Sequence, residues 1–286
     1  MGPSRPVRPP TTVDPSPPTP SRRPPGAAWA TPEAPTPRLD AAAWTSGALS
    51  EHRAKMPPQL RVRSAEASPL DATRAAWASS VRAVCESLAS TWNAEDHFPD
   101  NPNFQLATRP GFSAPWFDAF GLFGYAGRGL SAAGTSPAEA VAQLREQAHL
   151  LVPECWSAIA IAWHFALLDT LGPERFDRVA SEGLSIYMGQ FKGLLKPGNV
   201  VEHHNTPPPV GAWVYFDNPG ANAQDQLFWK GENALKVGPD EYYAHPFGIV
   251  SEAEILAKLA EKVPPGGPPP RRRGAWREID FTALTP

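Results

Sequence analysis

Glu154 and Cys155 stand side by side at the start of the apolar run WSAIAIAWHFALL, residues 156–168. A free thiol titrates near 8.5, so only a few per cent is thiolate, the nucleophilic form, at neutral pH. The first turn of a helix offers unpaired N–H groups and the positive end of the helix dipole, and both favour the thiolate. A helix buried on its other faces also fixes the sulfur. Cys155 therefore stands where a nucleophile would be placed. The other reading of the same residue is a small core cysteine.

A cysteine nucleophile needs a base and a group that orients the base. The histidines open to that role are His97, His164, His203, His204 and His245, with His52 and His149 less well placed. His164 lies deep in the apolar run and reads as a core residue. His203 and His204 precede NTPPP and read as loop. Adjacent histidines do not readily share a metal, and no Cys or carboxylate at ligand spacing accompanies them, so no metal site is expected. His245 lies in a hairpin formed by GENALKV and YYAHPFGIV around the turn Gly238-Pro239-Asp240-Glu241. With that turn, Glu232 faces Phe247 and Ala234 faces His245. Glu232 and His245 are then diagonal neighbours on one sheet face. A slip of one residue would send them to opposite faces. The alternative for this pair is a surface Glu and a half-buried His.

The elements that must position these residues follow from periodicity and caps. Ser68 caps a helix carrying the stripe Leu70, Trp77, Val81, Val84, Leu88 and Trp92, with Cys85 beside it as a core thiol. Residues 93–134 carry no assignable period. Ser136, Pro137 and Glu139 start a second helix. The helix behind Cys155 is apolar all round, belongs at the centre of the domain and stops at Gly172. PERFDRVASEGL can form one more helix. WVYF (213–216) and the hairpin are strands, and Ser251 with Glu254 boxes the start of a last helix. Helices first and a short antiparallel sheet afterwards give an α+β fold, with Cys155 at the N-terminus of a buried helix packed on the sheet.

Fifteen of the 36 prolines lie in residues 1–60, where large apolar side chains are few. That composition predicts a disordered, proline-rich head over 1–60, whose PxxP spacings suit a tether or an SH3-like partner. The compact domain is expected over 61–262. VPPGGPPPRRRG then opens a Pro/Arg-rich C-terminal tail over 263–286. A net charge of −3 does not point to nucleic acid or a membrane surface. The longest apolar run is well short of the ~20 residues needed to span a bilayer. Two distant cysteines form no disulfide framework, and the head has no apolar signal core. The expectation is a protein of the reducing cytoplasm, with spore or cell-surface association left open.

Two blocks, ECWSAIAIAWHFALLDTLGPERFD (154–177) and VYFDNPGANAQDQLFWKGENALKVGPDEYYAHPFGIVSEAEILAKL (214–259), resemble the small calcium-independent, spore-coat type protein-glutamine gamma-glutamyltransferases. The shared motifs are E-C at a helix start, W-x-G-E-N, and Y-Y/F-x-H-x-x-G. The resemblance implies a compact papain-like (NlpC/P60-like) core with Cys155 as the acyl-accepting nucleophile. It implies that Glu232 and His245 are its partners, that Glu154 assists beside it, and that Trp229 lines the acyl site. It also implies no cofactor and no metal. The substrates would be proteins bearing Gln and Lys, joined through a thioester into isopeptide crosslinks. A glutamine deamidase, a papain-like cysteine amidase or peptidase, and an inactive scaffold stay open beside it.

Overall fold

Three of the helices begin at serine-proline or serine-glutamate signals, because those side chains satisfy the N–H groups that a helix start leaves open. In the computed structural model, which describes residues 68–92, 106–113, 116–120, 128–132, 134–181, 183–186, 193–196, 198–221 and 227–284, α1 (Pro69–Thr91) is capped by Ser68. The Ser68 Oγ accepts from the Asp71 N–H at 3.1 Å, and the Asp71 carboxylate accepts from the Ser68 N–H. Three short strands follow in the stretch that had no sequence period: β1 (Leu106–Thr108), β2 (Trp116–Phe120) and β3 (Arg128–Ala132). Ser136 and Glu139 box α2 (Pro137–Glu146) in the same reciprocal way. Then come β4 (Leu151–Pro153), α3 (Cys155–Leu171), α4 (Pro173–Val179) and β5 (Ser185–Ile186). The C-terminal half holds β6 (Val200–His204), β7 (Trp213–Asp217), β8 (Gly231–Gly238), β9 (Glu241–Ala244), β10 (Gly248–Val250), α5 (Glu252–Ala260) and β11 (Arg271–Ile279). The expected head, residues 1–60, lies outside the described residues.

The main sheet has six strands in the order β10-β9-β8-β7-β11-β6, and every neighbouring pair is antiparallel. Side chains alternate between its faces. Trp213, Leu235, Val237 and Tyr243 join the core made with α1 and α3, where Trp77, Val81, Leu88, Ile159 and Trp163 are buried. Val214, Phe216, Ala234, Tyr242, Ala244 and Trp276 face the other way and pack with Ile255 and Leu259 of α5. A sheet covered on both faces explains why ALKV reads as a nearly continuous apolar run. Helix α3 is the centre of the molecule, with every residue from Ser157 to Leu167 buried. Its Trp163 indole donates to the Gly211 carbonyl at 3.1 Å and meets the Trp213 ring edge-on at 5.2 Å between centroids. His164 is buried as expected. Its Nδ1 is 2.7 Å from the Ala160 carbonyl, and burial pushes the ring pKa down to about 4, so the imidazole is neutral.

Two expectations need correction. The stretch 263–286 is not a tail. β11 lies between β7 and β6, and its Trp276 and Ile279, with Phe281 and Leu284 after it, are buried. Its arginines, which read as a solvated run, pair with carboxylates of neighbouring strands and of α5: Arg277 with Glu202, Arg273 with Asp217 and Arg272 with Glu252. His203 is likewise in a strand, β6, with its ring stacked on Trp276 at 4.1 Å and Nε2 2.9 Å from Glu278. Trp276→Ala should therefore cost about 3–5 kcal/mol and lower the melting temperature by roughly 10 °C. An unchanged thermal melt would return this segment to the status of a tail.

The second correction concerns register. The hairpin opens with Gly238 opposite Glu241, as expected, but a bulge at Val237 moves the pairing by one residue. Beyond it Lys236 faces Tyr242 and Ala234 faces Ala244. Continued past Ala244, this register aligns His245 with Asn233 in place of Ala234.

Candidate active site

The chain enters α3 from β4, an extended segment paired to β1 with Pro153 opposite Leu106. Glu154 is the N-cap, and its carboxylate takes the first open N–H groups of the helix: Oε2 accepts from Trp156 and Oε1 from Ser157, both at 2.7 Å. Cys155 is the first helical residue, and its Sγ–H donates to Glu154 Oε2 at 3.6 Å. On the other side of the sulfur the Asn233 Nδ2 donates to Sγ at 3.3 Å. The Asn233 Oδ1 accepts in turn from the Trp213 indole N–H at 2.9 Å. Cys155 is 8% exposed, and Glu154, Glu232, Asn233 and His245 are all buried.

Electrostatics reverse one expectation. The helix start does not lower the Cys155 pKa. Burial, the nearby Glu232 and the adjoining Glu154 raise it well above the ordinary thiol value, and only the Asn233 hydrogen bonds oppose them. Burial is the largest cause, and Glu154 adds to it: a capping carboxylate uses the N–H groups that would have favoured the thiolate and brings a negative charge of its own. The resting sulfur is a thiol.

The two carboxylates differ. Burial raises the Glu154 pKa, and its bonds to Trp156, Ser157 and Cys155 oppose that only in part. Glu232 is raised well above the usual carboxylate range by burial and by the charge of Glu154, against a single opposing hydrogen bond from the His245 backbone N–H. Its Oε1 is buried with no hydrogen-bond partner. Of the two carboxyls, Glu232 is pushed further toward holding its proton.

Cys155, Glu154 and Glu232 are thus brought together. His245 reaches Glu232 through its backbone N–H, while its ring lies edge-on to Trp92 at 5.4 Å between centroids. Trp229 stacks on Phe247 at 6.1 Å, with the Lys262 Nζ 4.6 Å from its ring centroid, and packs against the cluster that β7, β8 and β9 form with α5.

A cleft beside Asn233 is walled by residues that the sequence reading did not single out. Trp156 and Trp213 meet edge to face at 4.8 Å. With Tyr215, Asn233, Trp276, Arg273 and Arg277 they line a cleft of about 490 Å³. Tyr215 is pushed up to about 12 by burial and then by the Cys155 charge, so it stands within electrostatic reach of the sulfur. Its hydroxyl packs on Gly231, where a Cβ would come within 2.1 Å of it, which gives the glycine of W-K-G-E-N its reason. The signal for Asn233 was in the same motif, one residue after Glu232. Among the described residues no group of three or more His, Cys, Asp and Glu is placed to hold a metal ion.

A cysteine at the start of a buried helix, packed on an antiparallel sheet that brings a carboxylate toward it, has the layout of the papain-like α+β class. Residues 125–272, more than half of the chain, match the family model described as protein-glutamine gamma-glutamyltransferase, and the chain belongs to that family. It is 32% identical over 130 residues to the protein-glutamine gamma-glutamyltransferase of Bacillus pumilus (strain SAFR-032), covering 46% of this chain and 50% of that protein. With the enzyme of the same name from Bacillus subtilis (strain 168) it shares 30% over 123 residues, covering 43% of this chain and 48% of the other. The chain therefore spans about half the length of these curated relatives. A solved transglutaminase from Geobacillus stearothermophilus, without its C-terminal extension, superposes with a TM-score of 0.61 at 19% identity, covering 74% of this chain and 94% of that one. At that identity the likeness is one of fold.

Proposed function

We propose that this chain is a protein-glutamine gamma-glutamyltransferase that joins a protein glutamine to a lysine or a small amine. The observation that supports it best is the buried Cys155 thiol, set between the Glu154 carboxylate and the Asn233 amide with the proton-holding Glu232 close by.

In this reading the thiol proton passes to the carboxylate pair as Sγ attacks the carboxamide carbon. The carbon–nitrogen bond breaks, the pair returns a proton to the departing nitrogen, and ammonia leaves. A thioester remains. A neutral amine then attacks the thioester carbon and gives its proton to the pair. The carbon–sulfur bond breaks, the thiol is restored and an isopeptide bond has formed. Two carboxylates with unequal proton affinity suit both halves of that cycle. Transfer of this kind is typically worth about 10²–10⁴ in rate. Trp156 and Trp213 wall the cleft and restrict water, which competes with the amine for the thioester.

His245 then acts by holding Glu232 through its backbone, and Trp229 belongs to the support on the α5 side of the sheet. The reading requires no metal and no organic cofactor. A reducing compartment suits the free thiols of Cys85 and Cys155, and the PxxP spacings of residues 1–60 suit an SH3-like partner. No helix among the described residues is long and apolar enough to cross a membrane.

Mass analysis of a glutamine-rich protein incubated with the chain and a fluorescent primary amine tests the reading. Incorporation at glutamine is expected. Conversion of the same glutamines to glutamate, unchanged by added amine, would make the protein a deamidase.

A further inference from the structure

We propose that the Asn233 side-chain amide is a catalytic residue of the Cys155 site and that Trp213 sets its orientation; the first half of this assignment rests on the acyl-transfer reading above.

An asparagine amide has two ends of opposite hydrogen-bonding character, and density or geometry alone does not tell them apart. Here the neighbour decides. The Trp213 indole N–H can only donate, so the group 2.9 Å away must be Oδ1. That leaves both Nδ2 hydrogens on the sulfur side, with Nδ2 3.3 Å from Sγ. Trp213 cannot turn to release the amide. Its ring is 3% exposed and lies edge-on between Trp156 at 4.8 Å and Trp163 at 5.2 Å. The donor is therefore fixed before any substrate arrives, which is what makes an electrostatic contribution effective in a dry site.

Its partners around the sulfur sharpen the assignment. Glu154 sets a carboxylate beside Sγ, Glu232 adds a second negative charge whenever it ionises, and burial of the sulfur removes water that would otherwise solvate a thiolate. A thiolate formed there needs a donor, and Asn233 supplies it. As Sγ bonds to the carboxamide carbon, the charge moves from sulfur to the oxygen two bonds away. One Nδ2 hydrogen can follow the sulfur and the other can meet that oxygen. Glu232 and Asn233, neighbours in the W-K-G-E-N motif, thus place a proton carrier and a hydrogen-bond donor near the same thiol.

The test uses full-length wild type, Asn233→Ala, the isosteric Asn233→Asp, Trp213→Phe and the double variant Asn233→Ala/Trp213→Phe. Two readouts are taken: kcat and KM for amine incorporation, and the pH dependence of iodoacetamide labelling at Cys155. Asn233→Ala should lower kcat by about 10²–10³, the usual loss for one such donor, with KM little changed and the labelling midpoint moved to higher pH. Asn233→Asp, which keeps the shape and removes the donor, should move the midpoint at least as far. Trp213→Phe keeps an aromatic ring but loses the indole N–H and so lets the amide turn, and it should shift both readouts the same way by less. The double variant should be no worse than Asn233→Ala, because Trp213 acts through Asn233. The assignment is overturned if Asn233→Asp, folded by its thermal melt, keeps kcat and the labelling midpoint near wild type, or if the two single losses multiply. Should wild type incorporate no amine while the labelling midpoints move as stated, the acyl-transfer reading fails and the role of Asn233 on the thiol stands.

Discussion

Cys155→Ala should abolish amine incorporation and leave a folded protein. The side chain lost is small, and alanine is a good residue for a helix start that Glu154 already caps. What goes is the sulfur's hydrogen bond to Glu154 and its acceptance from Asn233. Bonds of that size are worth about 1 kcal/mol each in net stability, so the thermal melt should move by only a few degrees. Iodoacetamide gives an independent check. Cys85 is fully buried and its thiol is pushed far up by burial, so it stays unreactive. Wild type should take one label, at Cys155, and the variant none. Residual incorporation above one per cent of wild type would remove Cys155 as the nucleophile.

Glu232→Gln should separate activity from stability. Glutamine keeps the shape of the side chain but can neither release nor accept the proton, so kcat/KM should fall by about 10²–10⁴. Stability should move the other way. Glu232 is raised well above its ordinary value by burial and by Glu154, so the folded state holds its proton more tightly than the unfolded chain does. Folding free energy from this group is then full below the unfolded value, ~4.3, and is lost as pH rises through the folded value. Above that window the wild type carries a buried charge that the variant lacks. The variant should melt higher than wild type at pH 8, with the gap closing as pH approaches 4. A near-wild-type rate would remove Glu232 from the proton path. A lower melt at pH 8 would mean that its carboxylate is stabilised in a way its surroundings do not show.

The parts of this protein legible in its sequence are those decided within a few residues. The boxes at Ser68, Ser136 and Ser251 each close over three residues, so their side chains announce them. The all-round apolar run after Cys155 could only be a central helix, and it is buried from Ser157 to Leu167. Glu154 and Cys155 are neighbours in the chain, so their pairing needed no fold. The rest depended on contacts across the molecule. One bulge at Val237 decides whether His245 lines up with Ala234 or with Asn233, and nothing in GENALKV marks it. The arginines of β11 read as solvent-facing until Asp217, Glu202 and Glu252 arrive from other elements to pair with them. The proton affinities are tertiary as well. The helix start on its own favours a thiolate at Cys155; only the enclosing sheet, by excluding water and bringing Glu232 close, turns it into a thiol beside a proton-holding carboxyl. Sequence fixes which groups can react, and burial sets the charge each one carries when it does.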